Sequence, residues 1–430
     1  MYGMLLPKNP VGVVDAGLGK TASNSTMTLA VPTQYAEKTG QKITIDGVEL
    51  VVLMAPESEA PAEFMFYLPK FKAFCAAEDA THTMHNLYTL RGAKVRDALL
   101  WSKYLQTALD MFGDDMQVLF ASHYWPTWGN DRIVPFVRAQ RDMYRYLHDQ
   151  TMRLANAGYT PREIGEMLHL PDSLAKHWYC RSYYGTTYHN IVAQYNLRLG
   201  FFDGVPAHLH RLPPVEVSKR YVEFMGGAAS ALSKAQASFD KGDYRWVAEV
   251  VNHVVFAEPD NVTAKHLLAD TYEQLGYQSE SASWRNIYLT GALELRNGVH
   301  KVPVGGPQSL DVIRAMPLEM FLDYLGVRLD AKKAAGKSLV FNLVLTDTKE
   351  KYTVGVENCA LHYSQGHASK AADATLTMTR HDLNNVMLGD TTMHSLVIGG
   401  KAKIDGNAQK LGEFVTWLDS FDFFFNIVTP

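Results

Sequence analysis

The stretch Cys75-Ala76-Ala77-Glu78-Asp79-Ala80-Thr81-His82-Thr83-Met84-His85-Asn86-Leu87-Tyr88-Thr89-Leu90-Arg91-Gly92-Ala93 decides how this chain is read. It gathers two carboxylates and two imidazoles in a short block. Upstream lies Glu57-Ser58-Glu59-Ala60-Pro61-Ala62-Glu63-Phe64, and downstream Ala121-Ser122-His123-Tyr124-Trp125-Pro126. The flanking segments follow apolar, β-rich runs. Loops at the ends of buried strands are where α/β folds place functional side chains. Carboxylate and imidazole donors together suit zinc or manganese more than copper. Cys75, beside the block, reads as a small buried apolar residue.

Outward from this block, residues 1–130 read as mixed α/β. Strand character is expected at 27–32 and 42–55. The second stretch carries a hairpin signal, Asp46-Gly47 between two β-rich runs, which favours a type I′ turn. Residues 66–75 read as a short helix or strand. Residues 96–112 are amphipathic at helical spacing, through Leu99, Leu100, Tyr104, Leu105, Leu109 and Phe112. Residues 117–122 read as a short buried strand, and His123 follows directly.

From 131 to 300 the pattern is helical. One long helix is expected over 131–157. Thr160-Pro161-Arg162-Glu163 is a helix start, with Thr as N-cap, Pro in the first helical position and Glu in the third. Pro213-Pro214 opens a helix expected to run through Gly226-Gly227. Residues 242–277 resemble a tetratricopeptide helix pair, carried by Ala248, Pro259, Ala264, Leu268, Ala269, Tyr272 and Gly276. One unit is not an array, so a dimerisation or scaffold layer is the expectation. Gly305-Gly306-Pro307 reads as a linker. Beyond it, 338–345, 352–363 and 374–379 are β-rich. The aromatic end, with Phe414, Trp417, Phe421, Phe423, Phe424 and Phe425, reads either as core packing of a last helix or as a groove for an alkyl chain.

Composition bounds the rest. A chain of 430 residues exceeds one core. A net charge of −4 gives no basic balance that favours nucleic acid. Three cysteines are too few and too scattered for a disulfide framework or thiolate metal site. No run reaches the ~18 apolar residues that suggest a membrane span. Residues 1–19 show no basic region followed by an apolar run, so no signal peptide is expected there. The opening in loop-like residues is compatible with a missing upstream segment.

The three loop segments resemble the alkylsulfatase branch of the metallo-β-lactamase superfamily, hydrolases of long-chain alkyl sulfates such as dodecyl sulfate. The matching runs are Gly17-Leu18-Gly19-Lys20, Glu59-Ala60-Pro61-Ala62-Glu63, the block from 77 to 93, Ser122-His123-x-Trp125-Pro126 and Tyr144-Arg145-Tyr146-Leu147-His148-Asp149-Gln150. Further matches are Leu199-Gly200, Asp203-Gly204 and Pro206-Ala207. The resemblance implies a multidomain α/β + α chain. Residues 1–150 would be the C-terminal half of a metallo-β-lactamase-like αββα domain. Residues 151–303 would be an all-α dimerisation domain with TPR-like helix pairs. Residues 304–430 would be an α+β domain like sterol carrier protein 2 (SCP2). It also implies two zinc ions in the family, of which this chain alone would hold one or none, a homodimer and an alkyl sulfate substrate, and is compatible with a periplasmic or secreted protein. Glu59 would bind the first zinc, preferred by its spacing to Glu78 over its competitors Glu57 and Glu63; Glu78 would bridge, and His123 would bind the second. Asn86 and Arg91 would hold sulfate, His85 or His82 would donate a proton to the leaving oxygen, and Tyr195 would reach the same pocket.

The family's first metal motif, His-x-His-x-Asp-His, does not occur in the 430 residues. His208-x-His210 continues as Arg211-Leu212 and is no substitute. Three expectations stand side by side: part of a longer enzyme, a site completed by a second polypeptide, or a non-catalytic dimeric homologue that binds alkyl chains or lipids.

Overall fold

The computed structural model describes residues 3–20, 28–301 and 310–430. They divide into two compact units. The first takes the described residues up to 300 apart from 28–33, together with 426–430, and the second takes 28–33 and 301–425.

The first unit carries a six-stranded sheet whose strands lie in chain order: β1 (Lys42–Ile45), β2 (Val48–Met54), β3 (Phe64–Leu68), β4 (Ala73–Cys75), β5 (Val118–Phe120) and β6 (Thr127–Trp128). The β1–β2 hairpin closes on Asp46-Gly47, with φ of 49° and 76° and Ile45 opposite Val48, the expected type I′ geometry. Residues 66–75 resolve into the end of β3, a single 3₁₀ turn and β4. Residues 28–32 form no strand; the run ends at Pro32, which has no N–H to give a ladder. Met27 lies outside the described residues, as does the expected linker at 305–307.

β4 and β5 are the only parallel neighbours in this sheet. The crossover between them is α1 (Ala98–Phe112). Two parallel strands end at the same edge, so the block after β4 and His123 after β5 emerge side by side. α1 starts at Asp97, whose carboxylate accepts from the Leu99 and Leu100 N–H groups. Its buried face, Ala98, Trp101, Leu105, Ala108 and Phe112, repeats every three or four residues and covers the sheet. α2 (Asn130–Asn156) runs along α1, and Tyr144 stacks on Trp101 at 4.5 Å.

The helical layer continues through α3 (Pro161–Met167), α4 (Asp172–Ala175), α5 (Thr187–Leu199), α6 (Pro214–Phe224), α7 (Ala228–Phe239), α8 (Tyr244–Ala257), α9 (Val262–Gln278) and α10 (Ala282–Asn297). The capping box at Thr160 and Glu163 is present. α8 and α9 form the expected helix pair, with Asn261 capping α9 through the Ala264 N–H. The helix opened at Pro214 stops at Phe224 because Gly226 and Gly227 both take positive φ, 88° and 89°. The expected boundary at 150/151 falls inside α2, and both sides of it belong to the first unit. The boundary expected at 303/304 falls outside the described residues.

The second unit is α+β. It comprises α11 (Leu310–Ala315), α12 (Leu318–Arg328), α13 (Ala331–Ala334), β7 (Leu339–Leu345), β8 (Lys351–Glu357), β9 (Ala360–Gln365), β10 (Ala374–Met378), α14 (Arg380–Leu388), α15 (Met393–Ile398), β11 (Lys403–Gly406) and α16 (Ala408–Thr416). The sheet order is β11-β10-β7-β8-β9, with β10 parallel to β7 and the other pairs antiparallel. The expected aromatic last helix is shorter than its pattern. α16 buries Phe414, and Trp417 follows into the core. Then Leu418 bridges Leu329 and the Asp419 N–H bonds the Arg328 carbonyl. That pairing draws the chain out of the helix and leaves Phe421, Phe423 and Phe425 exposed. No described helix of either unit is long and apolar enough to cross a membrane.

Candidate functional site

At the edge where β4 and β5 end, donor atoms of Glu59, Glu78 and His85 lie within 4.8 Å of one another. His85 Nε2 is 3.0 Å from one Glu78 carboxylate oxygen, and His123 Nε2 is 3.3 Å from the other. Burial pushes the Glu78 carboxyl up, but hydrogen bonds from His123 and His85 outweigh it and hold the carboxyl well below the usual range. The hydrogen bond to Glu78 raises His123 in turn.

The other expected contenders separate. Glu57 turns outward and pairs with Lys94 at 2.6 Å. Glu63 stays inside, where burial and then the Glu59 and Glu78 charges push its carboxyl up to about 7. Glu59, Glu63 and Glu78 thus crowd one pocket. Beneath them Asp79 is fully buried; burial and then the Glu63 charge hold it well above the usual carboxylate range, against the Ser58 hydrogen bond at 3.1 Å.

Arg96 was not singled out by sequence reading. Its guanidinium ion-pairs with Glu59, donates to the Asn86 carbonyl at 2.7 Å and lies 3.1 Å from His85 Nδ1. It therefore ties the 59, 85–86 and 96 segments together. Its sequence signal was slight, an arginine just before the N-cap of an amphipathic helix. The His85 N–H donates to the Tyr144 hydroxyl at 3.2 Å, so the Trp101–Tyr144 stack props the loop from below.

Arg91 is exposed and lines an open cleft of about 280 Å³ together with Glu59, Lys94 and Arg96. Lys94 and Arg96 are paired to Glu57 and Glu59, whereas Arg91 has no ion partner among the described residues. Asn86 is buried, and its side-chain oxygen has no hydrogen-bond partner among the described residues. The N-terminal Gly17-Leu18 segment reaches the other rim, where the Leu18 backbone hydrogen-bonds His123 and the Tyr124 hydroxyl donates to the Gly17 carbonyl at 2.5 Å.

Two expected residues are not brought in. His82 is stacked against Phe136 at 4.7 Å, Trp178 at 5.2 Å and Trp125 at 5.4 Å, and its Nε2 meets Thr127 Oγ1 at 3.1 Å. Burial, then the Arg132 charge, pushes it down to about 4, so it is a neutral core histidine. Tyr195 on α5 is buried in the hydrophobic core. Its chain neighbour Gln194 is the one that faces the site loop, since successive helical residues point about 100° apart.

The donor set fits a borderline divalent cation. Carboxylates and imidazoles converge, the carboxylates are crowded, and one buried oxygen each of Asp79 and Asn86 lacks a partner among the described residues.

Residues 160–298 match the family model described as Alkyl sulfatase dimerisation, and 307–430 the model described as Alkyl sulfatase C-terminal. The chain is 53% identical over 430 residues to a linear primary-alkylsulfatase of Pseudomonas sp, covering 100% of the chain and 64% of that relative. It is 46% identical to alkyl/aryl-sulfatase BDS1 of Saccharomyces cerevisiae, covering 100% and 66%. A second Pseudomonas linear primary-alkylsulfatase is 32% identical, with 98% of the chain and 80% of the relative covered. Among solved structures, the stereoselective inverting sec-alkylsulfatase Pisa1 from Pseudomonas sp. superposes with a TM-score of 0.95 at 43% identity, covering 100% of this chain and 68% of that one. The chain thus spans about two thirds of the length of several of these relatives.

Proposed function

The chain belongs to the alkylsulfatase family, and from that membership and the site above we propose that it serves hydrolysis of alkyl sulfate esters to alcohol and sulfate. The observation that carries the reading is the convergence of Glu59, Glu78, His85 and His123 beside a cleft whose unpaired cation is Arg91. The sheet with α1 and α2 is read as part of a metallo-β-lactamase-like domain.

Glu59, Glu78 and His123 would hold zinc. Zinc bound there would supply a water of lowered pKa and a Lewis acid for sulfate oxygens. The chain's own residues supply the rest. Arg91 receives the sulfate, since a guanidinium fork matches two oxygens of that anion. Asn86, whose amide carries no charge, would orient the group. His85 would hand a proton to the leaving oxygen; its ring, held between Glu78 and Arg96, supports that reading. His82 takes no part.

The helical layer is read as the surface for a second copy of the chain. Phe201 and Phe224 stand 90% and 93% exposed in the single chain, within the stretch that matches the dimerisation model. The second unit is read as an SCP2-like domain whose exposed Phe421, Phe423 and Phe425 meet alkyl chains.

The test is tightly bound zinc per chain, measured with sulfate release from dodecyl sulfate. Zinc near two per chain with turnover supports the reading. Zinc near zero without turnover favours a dimeric alkyl-chain-binding protein, the reading suggested by the missing His-x-His-x-Asp-His run.

A further inference from the structure

Helix α5 lies wholly within the stretch that matches the dimerisation model, 160–298. Yet its buried polar face is spent on the site loop. Asn190 and Gln194 are each 0% exposed, one helical turn apart on one face. The Asn190 amide donates to the His85 carbonyl at 2.9 Å and accepts from the Leu87 N–H at 2.9 Å. The Gln194 amide donates to the Arg96 carbonyl at 2.8 Å and accepts from the Ala98 N–H at 3.2 Å. Each side chain therefore pairs with the backbone as a neighbouring strand would, through one donor and one acceptor.

The two ends of this splint are joined by the loop itself, because the Arg96 N–H bonds the Leu87 carbonyl at 2.8 Å. Next to Asn190, Gly185 approaches the loop so closely that a Cβ there would sit 2.4 Å from the His85 carbonyl oxygen. His189 is the third α5 side chain on the loop, with Nε2 at 2.6 Å from the Tyr88 carbonyl and Nδ1 receiving the Trp284 indole N–H of α10 at 3.1 Å.

We propose that Asn190 and Gln194 are positioning residues of the site: their amides set the register of the 85–98 backbone so that His85 reaches Glu78 and Arg96 reaches Glu59. Neither amide touches substrate. Both act through the backbone they hold, so the helix layer named for dimerisation also carries the active-site loop. The catalytic consequence rests on the sulfatase reading; the structural one does not.

The experiment compares the full chain with Asn190→Ser and Gln194→Leu, which remove the bonds without burying a new charge. Two readouts are taken on folded, zinc-supplied protein: hydrogen exchange at the Arg96 amide, and kcat and KM for dodecyl sulfate. The splint predicts faster exchange at Arg96, an amide neither side chain touches, and kcat lower by about 100-fold, the scale of a small misplacement of catalytic groups. A merely structural role would lower the melting temperature and leave both readouts of the folded protein unchanged. Exchange at Arg96 and kcat within about twofold of the parent chain overturn the proposal. If the parent chain shows no turnover, the sulfatase reading falls and exchange at Arg96 alone decides the splint. Should Asn190→Ser fail to fold, Gln194→Leu carries the test; should both fail, Gln194→Glu, which keeps the acceptor for Ala98 and loses the donor to Arg96, replaces them.

Discussion

His82 and His85 stand three residues apart in one loop and live in opposite surroundings. His82 is enclosed by Phe136, Trp178 and Trp125 and has one hydroxyl for company. His85 is equally buried, but its two nitrogens lie against Glu78 and Arg96. Stacked rings offer a histidine dispersion and no charge, so burial wins and His82 stays neutral. A carboxylate on one side and a guanidinium on the other fix the orientation of His85 instead. The family resemblance made both histidines candidates for one role, and the three-dimensional neighbourhood separates them.

The largest expected effect bears on the carboxylate that makes the His85 pocket what it is. Glu78→Ala removes the partner of both His85 and His123, and should abolish tight zinc binding and sulfate release together, measured as metal per chain and turnover of dodecyl sulfate. Next, His85→Gln should lower kcat by about 10² to 10⁴, the range for loss of a general acid or base, while His82→Phe leaves kcat within about threefold. Equal losses from the two variants would break the comparison. Arg96→Met should weaken zinc binding by about 10 to 100-fold, as loss of a ligand's hydrogen-bond partner does, read by chelator competition.

Acid should act on the other pocket. His82 is held down to about 4 in the fold against about 6.5 when free. Between those values the unfolded chain binds the extra proton, so this contribution to stability is complete above pH 6.5 and lost as pH falls toward 4. The slope is at most about 1.4 kcal/mol per pH unit. Denaturant midpoints of His82→Phe measured from pH 7 to pH 4.5 should fall less steeply than those of the parent chain. The smallest effect lies away from both pockets: Thr160→Ala breaks the capping box of α3 and should cost about 1 kcal/mol without changing turnover.

Much of this was legible in the sequence because it rests on local chemistry. The Asp46-Gly47 turn, the Thr160 cap and the amphipathic face of α1 follow from backbone preference and a period of 3.6 residues. Glu59, Glu78, His85 and His123 took their expected roles from the family resemblance, and the parallel pairing of β4 with β5 explains why the Glu78–His85 block and His123 emerge side by side. The extent of α16 was not legible, since the pull of Leu418 toward Leu329 comes from another part of the chain.

What the sequence determined by itself is the set of chemical groups, the local elements and the family, all properties of residues near one another along the chain or matched along its length. Only the tertiary structure decided which histidine is core and which is poised, that Arg96 grips Glu59, and that Gln194 rather than Tyr195 serves the loop. Those outcomes depend on contacts between segments far apart in sequence, and on the low dielectric they enclose, where an unpaired polar group is costly and a paired one is fixed.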